Sequence, residues 1–92
     1  MFVIEEDRHS ERRAGEFDAF EAALEDLRSL ALVPWDERPN KAPCVSWRTC
    51  GRTYEIVEVD PSVLPWRELA RVAVLDISAD GVRWLLELPD ET

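Results

Sequence analysis

Cys44, Cys50 and His9 hold the thiols and the one imidazole of this sequence, the groups best suited to nucleophilic, basic or soft-metal chemistry. Cys50 lies between Arg48 and Arg52, and nearby positive charge lowers a thiol's pKa and raises its thiolate fraction. That makes Cys50 the candidate reactive thiol, against the commoner reading of a packed, half-buried cysteine. His9 is the base on which a Cys-His or Ser-His-Asp mechanism would depend. It stands among Asp7, Arg8, Ser10 and Glu11, in a charged stretch that reads as a solvated loop. Six strand steps would put Cys44 and Cys50 roughly 20 Å apart, and six helical steps about 9 Å. A disulfide needs Cα atoms about 5.5 Å apart, so none is expected unless residues 45–49 fold back sharply. Two cysteines and one distant histidine match no usual zinc spacing, and neither a metal nor a cofactor is expected. No Gly-x-Gly-x-x-Gly, Gly-Lys-Ser/Thr or Gly-x-Ser-x-Gly element occurs. Binding is therefore the stronger expectation, and catalysis the weaker.

Four tryptophans are many for 92 residues. Tryptophan and arginine are typical anchors of binding hot spots, and Trp35, Arg38, Lys41, Trp47, Arg48 and Arg52 fall in one segment. They form the candidate contact surface of a small, non-catalytic protein-binding module. The competing reading is that Trp35 and Trp66, each directly after a proline, pin long loops onto the sheet. Trp84, within an alternating strand pattern, reads as core.

Charge narrows the choice of partner. Eleven lysines and arginines face twenty aspartates and glutamates, a formal net charge of −9. Residues 1–30 and 55–92 are acidic, while residues 31–54 carry Asp36 and Glu37 against Arg38, Lys41, Arg48 and Arg52. Such a balance argues against nucleic acid, which requires a basic stripe, and against anionic membranes. An acidic helix face docking on a basic protein, as a decoy, is a further alternative. The opening Met1-Phe2-Val3-Ile4 runs straight into Glu5-Glu6-Asp7, without the basic and apolar regions of a signal peptide. With no long apolar run and only two cysteines, a cytoplasmic setting is expected.

These residues need elements to place them. Phe2–Glu5 reads as a short opening strand. Phe20, Leu24, Leu27 and Ala31 recur at steps of three and four, which predicts an amphipathic helix over residues 18–32. Asp18 and Glu21 would form its capping box, with Phe17 as a staple. Three prolines between Pro34 and Pro43 predict a loop. Val45–Thr49 and Tyr54–Val59 read as a hairpin turning at Cys50-Gly51-Arg52, with glycine available for a positive φ. A connector from Pro61 to Leu69 holds one helical turn at Trp66–Leu69. Val72–Ile77 and Val82–Leu88 read as a second hairpin about Ala79-Asp80-Gly81; a short helix capped by Ser78 is the alternative.

The central residues Pro34-Trp35-Asp36, Pro39-Asn40, Ala42-Pro43-Cys44, Trp47–Arg52 and Tyr54-Glu55 are similar to a family of small uncharacterised bacterial proteins. Pro65–Leu69 extends the likeness. The resemblance implies a free-standing small bacterial protein and names no ligand. The expected fold is a single α+β domain over residues 1–92, one amphipathic helix on an antiparallel sheet of four or five strands. Two copies pairing through a sheet edge would give a homodimer.

Overall fold

The computed structural model describes residues 1–44 and 48–86. Its elements run β1 (Phe2–Glu6), β2 (Glu11–Arg12), α1 (Phe20–Leu30), β3 (Arg52–Asp60), β4 (Arg67–Ser78) and β5 (Gly81–Trp84). The strands form one sheet, β2-β1-β3-β4-β5, antiparallel throughout. The helix packs on one face of it. This is the α+β architecture the periodicities predict, with five strands.

Register explains the core. Ile4 lies opposite Ile56, and Ile56 opposite Val72. The next row on that face holds Glu6, Tyr54 and Leu75. A register step between Tyr54 and Glu55 leaves Val74 as an extra residue, and Val74 joins Leu75 and Ile77 in the core. Against these pack Ala23, Leu24, Leu27 and Leu30 of α1. Each leucine so buried contributes about 1.5–3 kcal/mol. Val3, Val57 and Val59 form a smaller cluster with Met1 and Trp66. β3 is thus covered from both sides and is buried along nearly its whole length.

Several expectations are corrected. The helix begins at Phe20 behind Ala19, with no side-chain hydrogen bond at its N-cap, so the Asp18–Glu21 box does not form. Phe17 instead pairs with Phe2 through both backbone groups and packs against the main core. Among the described residues the first hairpin is not seen, and both edges of β3 are taken, one by β1 and one by β4. Arg48 and Thr49 lie in a turn, and Val45–Trp47 lie outside the described residues. The supposed helical turn at Trp66–Leu69 is the beginning of β4. The second hairpin does form, over two turn residues rather than three, but its second arm ends at Trp84, and Glu87 and Leu88 lie outside the described residues. Ser78 pairs with Gly81, which takes the φ of +116° that closes the turn. Trp84 is 36% exposed and lies outside the core. The outermost strands are β2 and β5.

Candidate functional site

Side-chain alternation places Phe2, Ile4 and Glu6 on the same face of β1. Glu6 is therefore carried inward as a carboxylate with only 3% exposure. Its charge is met on every side. Arg52 Nη1 donates to Oε1 at 3.1 Å, and the backbone N–H groups of Arg8 and Thr53 donate to Oε2 at 2.6 and 3.4 Å. Arg52 is anchored in turn. Its Nε donates to the Asn40 carbonyl at 3.1 Å, its Nη2 to the Lys41 carbonyl at 3.0 Å, and Nη1 also reaches Glu11.

Asn40 extends the network to the helix. Its amide nitrogen donates to the carbonyls of Leu30, the last residue of α1, and Val33, just beyond it, at 2.8 and 2.9 Å. Tyr54 OH donates to its oxygen at 3.1 Å. Burial pushes the Tyr54 phenol up to about 12. Among the described residues, no buried side-chain polar atom lacks a partner. The network holds the long loop after α1 against the start of β3.

The turn between β1 and β2 then delivers His9. Ser10 completes that turn at φ 52°, a left-handed conformation rare for a residue with a side chain. His9 Nδ1 meets Glu6 Oε1, and Nε2 lies 3.2 Å from Cys50 Sγ. With 12% of its side chain exposed, His9 is not the solvated loop histidine its charged neighbours suggest. Cys44 hydrogen-bonds to both His9 and Cys50. The Nε2 and two Sγ atoms all fall within 4.8 Å of one another. Neither cysteine is in a disulfide, yet the pair is not held apart as the hairpin would require.

Gly51 is what lets Cys50 lie so close. A Cβ there would stand 2.9 Å from both the Ile77 carbonyl oxygen and Ser78 Cβ. Its φ is not among the positive ones, so close approach, rather than a special turn, demands glycine. The electrostatics follow from the contacts. The Glu6 hydrogen bond raises His9 above its ordinary value against the opposing effect of burial. Cys50 is pushed up, first by its hydrogen bond to Cys44 and next by burial. The lowering expected from flanking arginines does not prevail, because Arg52 is committed to Glu6 and Glu11.

The cluster borders a cleft of about 810 Å³. Arg12, Arg13, Arg38, Lys41 and Arg52 line it against Glu6 and Glu11, with Cys44 in the wall. Of the predicted contact residues, the cleft therefore gathers Arg38, Lys41 and Arg52. Trp35 packs against the main core and borders a separate apolar groove with Ile77 and Val82. Arg48 is exposed, and Trp47 lies outside the described residues. Trp66 packs on the valine cluster under the Arg12 guanidinium, 5.8 Å from the ring centre. On the helix, Glu25 and Asp26 of the supposed acidic docking face pair with Arg28 and Arg13.

Sequence reasoning missed Glu6, Asn40 and the partnership of His9 with the cysteines. The opening strand reads only as far as Glu5, and its run Phe2-Val3-Ile4-Glu5-Glu6 gives no alternation that would mark Glu6 as inward. No local signal could join residues 9, 44 and 50.

No protein-family model matches this chain, and neither does any curated protein or solved structure. No helix among the described residues is long and apolar enough to cross a membrane.

Proposed function

We propose that the protein is a thiol-dependent redox protein whose Cys44–Cys50 dithiol reduces disulfides. The observation that carries this reading is His9, hydrogen-bonded to both sulfurs through a ring fixed from behind by buried Glu6. A nucleophile, a base and an orienting carboxylate in that order form the usual arrangement for activating a thiol.

Cys44 lines the cleft and is the attacking sulfur in this reading, in place of the Cys50 suggested by its flanking arginines. As a thiolate beside protonated His9, it attacks one sulfur of a substrate disulfide. The substrate S–S bond breaks, and the leaving thiolate takes the proton from His9. Neutral His9 then accepts the Cys50 proton while the Cys50 sulfur attacks Cys44 Sγ. The Cys44–Cys50 disulfide forms, and the second substrate thiolate leaves with that proton. Two electrons and two protons pass from the protein to the substrate.

Glutathione disulfide and mass spectrometry test the scheme. Cys50→Ser should accumulate a mixed disulfide on Cys44, while the unsubstituted protein ends as the internal disulfide. His9→Gln should slow the reaction by at least about tenfold, the low side of what a positioned base contributes. Equal, slow alkylation of Cys44 and Cys50 by iodoacetamide would count against the whole reading.

A second reading is supported by the cationic lining of the cleft in a protein of net charge −9. It is a non-catalytic contact for an acidic protein segment, held by Arg38 and Lys41. The Arg38→Ala/Lys41→Ala double variant should then lose binding to an acidic peptide, and unchanged affinity would remove this reading.

A further inference from the structure

One imidazole nitrogen and two thiol sulfurs that converge from separate parts of the chain are also a set of soft ligands. We propose that His9, Cys44 and Cys50 form a zinc site with Glu6 behind His9, and that zinc occupancy masks the thiols from exchange.

Geometry and chemistry both point this way. Zinc bonds of about 2.3 Å to sulfur and 2.0 Å to nitrogen in a tetrahedron put neighbouring ligand atoms roughly 3.5–3.8 Å apart. The 3.2 Å between His9 Nε2 and Cys50 Sγ, and the 4.8 Å limit for the whole set, bracket that spacing. A nitrogen and two thiolates favour zinc over magnesium or calcium, which seek oxygen. Three protein ligands with one position left over is the pattern of zinc sites that keep an open coordination place. Two thiolates also neutralise the ion's charge, so burying it leaves no excess.

The outer shell is built as well. Metal-bound histidines almost always give their other ring N–H to a carboxylate or carbonyl, which fixes the tautomer. Glu6 does this for His9, and Arg52 with the N–H groups of Arg8 and Thr53 holds Glu6 in place. Nε2 is thereby directed towards the sulfurs before any ion arrives.

The regulatory half of the inference rests on the thiol reading; metal binding itself does not. A thiolate bound to zinc is no longer available for attack. Conversely, oxidation by a disulfide RSSR′ converts the two zinc thiolates into the Cys44–Cys50 disulfide. It yields RS⁻ and R′S⁻ and releases Zn²⁺.

The full-length protein, reduced and stripped of metal, is titrated with Co²⁺ and then with Zn²⁺ against a chromophoric chelator. One equivalent of Co²⁺ should give thiolate-to-cobalt charge-transfer absorption, and Zn²⁺ should displace it. Glu6→Gln should weaken zinc binding about 10–100-fold, the usual effect of losing an outer-shell partner. Cys44→Ser, Cys50→Ser and His9→Gln should each weaken it further, with circular dichroism verifying that each variant is folded. In the same preparation, zinc should suppress the reaction of the thiols with glutathione disulfide at least tenfold. Absence of the charge-transfer band with rapid thiol exchange would overturn the zinc site and leave the redox reading standing. Tight zinc binding by a protein whose metal-free thiols are inert would support the site but overturn its masking role and the redox reading. Zinc binding that survives all three ligand substitutions in folded protein would overturn the assignment of the site.

Discussion

Glu6 occupies the place where a third apolar residue would complete the row begun by Phe2 and Ile4. A buried carboxylate costs several kcal/mol unless it is paired and hydrogen-bonded, and here Arg52, two backbone N–H groups and His9 supply the partners. Gly51 makes a comparable demand through shape. Gly51→Ala is expected to push Cys50 away from His9, because the new Cβ has no room against Ile77 and Ser78. Thiol exchange should slow, and the urea midpoint should fall by the equivalent of about 1–3 kcal/mol, as overpacking does. Unchanged rates and stability would show that β4 yields instead. Tyr54 is the sole tyrosine, so its ionisation can be followed alone by ultraviolet absorbance. It should titrate near the raised value of about 12 rather than near the usual value of about 10. Because the unfolded chain ionises first, its contribution to stability is full below pH ~10 and is lost as pH rises towards 12. A midpoint near the ordinary phenol value would contradict its burial. At this scale the sequence was partly legible. The opening strand was legible, but Phe2-Val3-Ile4-Glu5-Glu6 does not alternate and its reading stops at Glu5, so Glu6 was not marked as inward. The role of His9 depends on a turn that reads locally as charged and solvated.

Among the elements, α1 is finished by a residue ten positions beyond its end. Asn40 meets the carbonyls of Leu30 and Val33 and accepts from Tyr54. Asn40→Ala strands the Tyr54 hydroxyl and the Val33 carbonyl, while the Leu30 carbonyl keeps the Val33 N–H, at about 1–3 kcal/mol for each group stranded. Adding in part, they predict a loss of about 3 kcal/mol in chemical denaturation, with thiol exchange slowed because Arg52 also grips the Asn40 carbonyl. A loss below half a kcal/mol would mean that water replaces the amide. The helix and the second hairpin were legible because their periods of 3.6 and 2 are written locally. For the first hairpin, adjacency in sequence suggested Val45–Thr49 as a partner for β3, whose described partners are β1 and β4. The near-continuous burial of β3 instead suits an interior strand, paired with β1 from the start of the chain and with β4 across the short connection 61–66. Similarly, β4 begins early because Arg67–Arg71, although mostly exposed, extends along β3 as far as Asp60.

The whole molecule is a slab of 40 × 39 × 16 Å. Away from the helix, Arg71 ties three strands together through Glu5, Glu55 and Glu68 at 2.6–2.8 Å. Burial alone would raise Glu5, but its hydrogen bonds with Arg12 and Arg71 outweigh that and hold it below the usual carboxylate value. Glu68 is lowered by Arg71 as well. Carboxylates depressed in the fold stabilise it above their unfolded pKa, and that stability is lost as pH falls through the folded value. Arg71→Met should therefore cost about 1–2 kcal/mol near neutral pH, allowing for partial exposure. The difference should shrink as pH falls below ~4.5, read from urea midpoints at pH 7 and pH 4. A pH-independent difference would assign the loss to packing of the arginine stem.

With β1 on one side and β4 on the other, β3 has no free edge. β2, by contrast, is two exposed residues at the rim. In deuterium exchange, the amides of Ile56 and Val57 should wait for global unfolding, whereas those of Glu11 and Arg12 should exchange through local opening. Cys50 sits just before the slow strand, and His9 just before the fast one. Opening of the rim is therefore expected to carry His9 away from Cys50, so the amides of Glu11 and Arg12 should exchange at the rate at which the cluster comes apart.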